Sequence, residues 1–262
     1  MRSDDLRATL PPIALFSDVD GTLLDASDRL AISAAGVARL APKAELILAS
    51  SRTLVELGDI QRRLEVKGPL IAENGAVVYV PPRWRGGGSS RRELLTLGDT
   101  WAEVRRRVER CAEKVGVEIA FQRDLLPDGA RTLKRGYSVC VRDWSGPDAE
   151  RFLKALRGER LRATRSGRWI TVTRGADKGT AVRAVLALAR KRGAPFRWTV
   201  AIGNAANDQA LLAAARGRFA IRNPRRGHHA DLLELPEVTP LTASGQRAWR
   251  EVFATILANE LT

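Results

Sequence analysis

Asp18-Val19-Asp20-Gly21-Thr22 follows directly on a short apolar run that begins at Ile13. Side chains alternate along an extended chain, so Asp18 and Asp20 point to the same side and face one pocket. Two carboxylates placed this way can divide labour. One attacks phosphorus; the other, protonated, serves the leaving oxygen as general acid and later activates water as base. An acidic turn, with Asp and Gly chosen for loop geometry, would use the same residue types.

Three further polar clusters argue for chemistry over a simple turn. Ser50-Ser51-Arg52-Thr53 ends a second apolar run and offers hydroxyl and backbone donors to a phosphate, although Ser50 or Ser51 could equally cap a helix. Gly175-Ala176-Asp177-Lys178-Gly179 opens a strong helical pattern. The Lys178 ammonium and the unpaired backbone N–H groups of a positive helix end suit an anion. Finally, Gly203-Asn204-Ala205-Ala206-Asn207-Asp208 follows the run Thr199 to Ile202, and its hard oxygen ligands suit Mg2+.

The elements that must position these clusters alternate in type. Strand-like runs at 13–18, 45–50, 69–73, 199–202 and 219–221 are interleaved with helical patterns at about 33–40, 53–64 and 178–192. Such alternation predicts a parallel sheet covered by helices on both faces, with ligands beyond the carboxyl ends of the strands. The middle of the chain differs. It begins after Pro81-Pro82 and the Gly86-Gly87-Gly88-Ser89-Ser90 stretch, which reads as a flexible boundary near residue 83. Strands are expected there at 93–97, 117–121, 137–141, 160–164 and 169–173, with helices at about 99–115 and 147–156. This α+β pattern predicts a smaller unit, 83–173, inserted into a larger α/β unit made of 1–82 and 174–262.

The four clusters, in this order, resemble the four motifs of haloacid dehalogenase superfamily phosphatases, and DVDGTLLD at 18–25 is the most specific piece. The likeness covers both outer segments of the chain. It implies an α/β fold with a Rossmann-like parallel sheet core and an inserted α+β cap of the C2B type. It also implies a Mg2+-dependent phosphatase that hydrolyses a small phosphorylated metabolite through an aspartyl-phosphate. By the resemblance Asp18 is the nucleophile, Asp20 the general acid/base, and Ser50 and Lys178 hold the phosphoryl group. Asp18, Asp20, Asn204 and Asp208 would surround the metal.

Within that group, Ser50 to Thr53, Ile71-Ala72-Glu73-Asn74-Gly75-Ala76, Tyr79-Val80-Pro81 and Gly167-Arg168 are similar to the mannosyl-3-phosphoglycerate phosphatase family. This adds Ser51, Arg52, Asn74, Arg168 and Asn207 as phosphate or substrate contacts, with Arg168 expected to hold an acidic leaving group. One departure stands out. The fourth motif of the family usually begins Gly-Asp, whereas this chain has Asn204, whose amide oxygen can ligate magnesium but brings no negative charge.

Bulk properties narrow the function further. The 262 residues carry 44 Lys and Arg against 30 Asp and Glu, a formal charge of +14 that attracts anions. That charge is dispersed along helices such as 105–110 and 183–192, with no basic tail and few aromatics interleaved, which argues against specific nucleic-acid binding. A ligand-binding or regulatory module built on the same fold is the other competing class, and intact Asp18, Asp20 and Lys178 argue against it. The early apolar run is too short for a signal peptide or a membrane span, so a cytoplasmic protein is expected. Cys111 and Cys140 lack metal-ligand spacing and read as buried thiols. His228-His229, in a loop with Pro224 and Gly227, reads as a surface turn. The pattern is silent on oligomeric state.

Overall fold

The computed structural model describes residues 10–25, 27–84, 93–127, 130, 134–166 and 168–258. The Gly86 to Ser90 stretch and Gly167 lie outside them. In chain order the elements are β1 (Ile13–Ser17), α1 (Ala34–Leu40), β2 (Ala44–Ala49), α2 (Leu54–Leu64), β3 (Leu70–Ala72), β4 (Val77–Val80), β5 (Glu93–Thr96), α3 (Trp101–Val115) and β6 (Val139–Arg142). They continue with α4 (Pro147–Gly158), β7 (Leu161–Ser166), β8 (Trp169–Arg174), α5 (Lys178–Lys191), β9 (Trp198–Gly203), α6 (Gln209–Ala213), β10 (Gly217–Ala220), α7 (Ala230–Leu233), β11 (Val238–Pro240) and α8 (Gly245–Ala258).

Every residue of β1 and β2 is buried, as expected for strands of a parallel sheet covered on both faces. These two strands sit inside an eight-stranded sheet of order β11-β10-β9-β1-β2-β3-β4-β5. From β11 to β3 the pairs are parallel, and β4 and β5 close one edge in antiparallel fashion. One face packs against Val37 of α1, Leu57 of α2 and Trp249 of α8, and the other against Val182 of α5 and Leu211 of α6. Period-3.6 apolar faces on these helices bury against the sheet, which is the main source of their stability.

A second sheet, order β6-β8-β7, is antiparallel throughout. It has its own core, in which Val104 and Val108 of α3 and Phe152 and Leu156 of α4 pack on Val139, Ile170 and Val172. Two expectations for this middle segment need correction. Strand β5, placed by the sequence in the inserted unit, hydrogen-bonds to β4 in the large sheet. Its alternating pattern fits any antiparallel edge, and Val78 and Tyr79 supply that edge. Residues 117–121 form no strand. They lie between the left-handed Gly116 and a turn at Gln122–Leu125, which leaves room for only a single bridge from Phe121 to Val141.

Among the described residues no helix is long and apolar enough to cross a membrane. Cys111 and Cys140 are buried free thiols.

Candidate active site

All four clusters arrive at the carboxyl end of the parallel strands. The Asp18 N–H donates to the Ile202 carbonyl at 2.9 Å, which holds the end of β1 against β9. Lys178, the first residue of α5, is 1% exposed, and its Nζ lies 2.6 Å from Oδ1 of both Asp18 and Asp208. The sequence reading placed this ammonium where an anion would bind. Instead the protein itself supplies two anions, and Lys178 bridges them.

Asp208 reaches that position because Gly203 has no side chain: a Cβ there would collide with the Asp208 carboxylate. The Asp208 Oδ2 accepts from the N–H groups of Asn204 and Ala205 at 2.9 and 3.0 Å. With Oδ1 on Lys178 and Oδ2 on two amides, Asp208 turns away from the cleft and supports Lys178 from behind. Both Asp208 oxygens thus already accept from protein donors.

Asp20 is more exposed and is gripped by Arg52, whose Nη2 and Nε lie 2.6 and 3.0 Å from Oδ1. Ser50 Oγ donates to Asp20 Oδ2 at 3.4 Å and accepts from the Arg52 N–H at 3.2 Å. The capping alternative for these serines does not hold. Thr53 caps α2, in a reciprocal box with Glu56, so Ser50 and Ser51 are not used as the cap. Asn74 Oδ1 accepts from Asn207 Nδ2 at 3.3 Å, which joins the third strand's loop to the fourth cluster.

The electrostatics follow from burial. Loss of water around Asp18 pushes its carboxyl from the ordinary 3.8 up to about 7; Asp208 adds repulsion, and Lys178 offsets part of it. Burial alone would lower Lys178, but Asp18 and Asp208 outweigh it and hold the ammonium above its usual range. The Arg52 guanidinium is likewise held above its usual range, chiefly by its hydrogen bonds to Asp20.

Three carboxylates thus face two cations, and this excess of negative charge suits a divalent cation. Among the described residues no donor reaches Asp18 Oδ2, and Asn204 Oδ1 accepts only a long bond, 3.3 Å, from Thr22 Oγ1. The Asn204 amide oxygen is a hard oxygen that suits Mg2+, and Asp18 Oδ2 is left open to a reacting group. No group of three or more His, Cys, Asp or Glu side chains gathers as a metal site among the described residues, so a bound ion would rely on the Asn204 amide, main-chain oxygen and water as well. His228 instead contacts the Leu241 carbonyl at 2.9 Å.

A cleft of about 880 Å³ opens beside Lys178, with Asn74, Asp177 and Asn207 on one wall and Arg157, Arg162 and Thr164 on the other. Arg168 is not brought to it. It is exposed in the turn joining β7 to β8, whereas the Leu161 and Arg174 pair at the opposite end of that hairpin adjoins the large unit. The arginine of β7 that lines the cleft and meets the third cluster is Arg162, whose Nη2 lies 3.0 Å from Asp177 Oδ2. Sequence reasoning passed over it, since one arginine among many carries no signal until the hairpin's direction is known.

Residues 15–85 match the family described as haloacid dehalogenase-like hydrolase. The fold and the four clusters at one sheet edge agree with that likeness. It is 28% identical to the glucosyl-3-phosphoglycerate/mannosyl-3-phosphoglycerate phosphatase of Persephonella marina, over 95% of this chain and 98% of that one. It is 25% identical to the enzyme of the same name from Methanococcoides burtonii, over 93% and 96% of the two chains. Among solved structures, a subclass IIB sugar phosphatase superposes with a TM-score of 0.64 at 18% identity, covering 95% of this chain and 99% of that one.

Proposed function

We propose that this protein is a Mg2+-dependent phosphatase that cleaves a phosphorylated sugar acid of the glucosyl- or mannosyl-3-phosphoglycerate type. The observation that carries the reading is the buried Asp208, Lys178, Asp18 array, which meets the cleft through Lys178 and leaves Asp18 Oδ2 as the open nucleophilic oxygen. The names of the two curated relatives support the substrate class.

In this mechanism Asp18 Oδ2 attacks phosphorus, and the bond to the leaving oxygen breaks as that oxygen takes a proton from the Asp20 carboxyl. Asp20, now a carboxylate, then removes a proton from water, whose oxygen attacks the phosphorus. Inorganic phosphate leaves and Asp18 returns as a carboxylate. Ser50, Ser51 and Arg52 would bind phosphoryl oxygens, with Asn74 and Asn207 at the cleft wall. Lys178 orients Asp18 and adds positive charge beneath the transferring group. Asp18, Asp20 and Asn204 would hold the metal, which offsets the repulsion between an anionic nucleophile and an anionic phosphate. The segment from Asp99 to Arg174 would serve as the cap that covers the cleft.

Phosphate release from glucosyl- and mannosyl-3-phosphoglycerate, other sugar phosphates and nucleotides, each with and without Mg2+, tests the reading. Preference for the glycosyl-phosphoglycerates with Mg2+ supports it. Faster metal-independent release, or a preference for nucleotides, refutes it.

A further inference from the structure

Glu73, Asn74 and Gly75 follow β3 as a tight turn in which all three residues have positive φ, at 50°, 56° and 92°. L-residues adopt this conformation at a cost, and surrounding contacts must hold it. Those contacts reach two catalytic clusters. The Glu73 N–H donates to the Arg52 carbonyl at 2.9 Å and the Asn74 N–H to the Ser50 carbonyl at 3.0 Å. Gly75 lies so close to the Asp177 and Lys178 backbone that a Cβ would strike it.

The Glu73 side chain leaves this turn in the other direction. It is 4% exposed, and its carboxylate accepts from the backbone N–H groups of Gly136, Tyr137 and Ser138 at 2.9, 2.9 and 2.7 Å and from Ser138 Oγ at 2.8 Å. Successive backbone N–H groups converging on one carboxylate form a strong, directional seat. Among the described residues no Lys or Arg forms an ion pair with it. A second tether runs alongside: Arg135 Nη1 donates to the Ser51 carbonyl at 2.6 Å.

Residues 136–138 lead straight into β6, which pairs with β8, and β8 pairs with β7, the strand whose Arg162 lines the cleft. The Gly136 carbonyl also accepts from the Trp101 N–H at the start of α3, at 2.8 Å. One carboxylate therefore joins the loop of Ser50 to Arg52 to the first strand and first helix of the opposite wall.

We propose that Glu73 is a positioning residue whose carboxylate seats residues 136–138 on the loop carrying Ser50 to Arg52, and so fixes the wall bearing Arg162 relative to Lys178. It touches no substrate. Its contribution is confined to substrates large enough to meet both walls, because the contacts it makes to the catalytic loop run through its main chain and survive a change of side chain.

Two measurements test this. The first is amide hydrogen exchange on the full chain, which does not depend on the phosphatase reading. In the wild type, residues 136–138 are expected to exchange slowly. In Glu73→Gln, whose amide presents an N–H to other N–H donors, exchange should speed up by about tenfold or more at 136–142 and remain unchanged in β1, β2 and β9. Fast exchange at 136–138 in the wild type overturns the proposal. So does a Glu73→Gln effect that is absent or spread equally over both sheets.

The second measurement rests on the proposed phosphatase function. Glu73→Gln should lower kcat/KM for a glycosyl-3-phosphoglycerate by about tenfold, chiefly through KM, and change that for p-nitrophenyl phosphate by less than about threefold. Equal losses in kcat on both esters would mean fewer folded molecules and would remove the positioning role. Ser138→Ala, which deletes the hydroxyl donor to Glu73 together with the acceptor of Arg135 Nη1 and keeps the three backbone donors, should move both readouts the same way by about threefold; no movement in either is also evidence against the seat.

Discussion

Lys178 Nζ lies 2.6 Å from Oδ1 of Asp208, a residue with no exposed surface. Both oxygens of Asp208 are thereby committed to the protein. The acidic residue that ends the fourth cluster is a prop for the lysine, and the Asn204 oxygen of that cluster accepts only a 3.3 Å bond from Thr22 Oγ1 among the described residues.

If Asp18 is the nucleophile, Asp18→Asn removes its charge and keeps its shape. Turnover should fall by roughly ten-thousand-fold or more while the protein stays folded. Circular dichroism and a phosphate-release assay on the same preparation check this, and residual turnover above about one per cent would disprove a covalent role for Asp18.

The same variant separates a stability effect. Asp18 is pushed from 3.8 up to about 7, mainly by burial. An acid whose pKa rises on folding binds its proton more tightly in the folded state. Its stabilising contribution is therefore complete below about pH 4 and is lost as pH rises through about 7. Asn has no such proton to lose. In EDTA, the Tm of Asp18→Asn minus that of the wild type should rise between about pH 4 and about pH 8. A difference that stays flat contradicts the assignment.

Asn204→Asp places a charged oxygen at the position where the resembled family's motif implies an aspartate. The magnesium concentration giving half-maximal activity should drop, by about threefold to tenfold, because charge attraction dominates binding of this ion to hard oxygen ligands. Titration at saturating substrate and fixed ionic strength measures it. An unchanged midpoint would show that residue 204 is not a limiting ligand.

The two arginines of the β7 and β8 hairpin should differ. Arg162→Ala removes a guanidinium from the cleft wall and should raise KM for a carboxylate-bearing phosphate ester by about tenfold. Arg168→Ala, at the exposed turn, should leave KM within about twofold. Steady-state kinetics of both variants on one substrate decide it, and a larger effect at Arg168 would return the specificity role to the hairpin tip.

That contrast marks the limit of what the sequence carries. Asp18, Ser50, Lys178 and the Asn204 to Asp208 cluster were legible because each follows an apolar run or opens a helix, and strand ends and helix starts are local signals. The oxygens of Asp208 turn inward because Gly203 leaves the space, a fact of packing that spacing does not contain. Choosing Arg162 over Arg168 requires the direction of the hairpin, and that depends on the Leu161 and Arg174 pairing. Glu73 was read as the end of a strand-like run and as part of a family-like segment, with no role of its own, since its partners lie about sixty residues away. Helix α8 was missed although Ala248, Trp249, Val252 and Ile256 form a buried stripe, and β4 was hidden by the tight turn before it.

The Asp99 N–H donates to the Arg174 carbonyl at 3.1 Å, so the chain leaves the large sheet and returns to it through a single doorway. A segment whose ends already touch imposes no span on the body that hosts it, and closing the gap behind it would require only a short turn. Cap exchange between relatives is thus a transplant at one joint, in which Asp99 and Arg174 are the natural cut points. The graft would have to supply its own three amides for Glu73, or the host would be left with a buried carboxylate facing nothing.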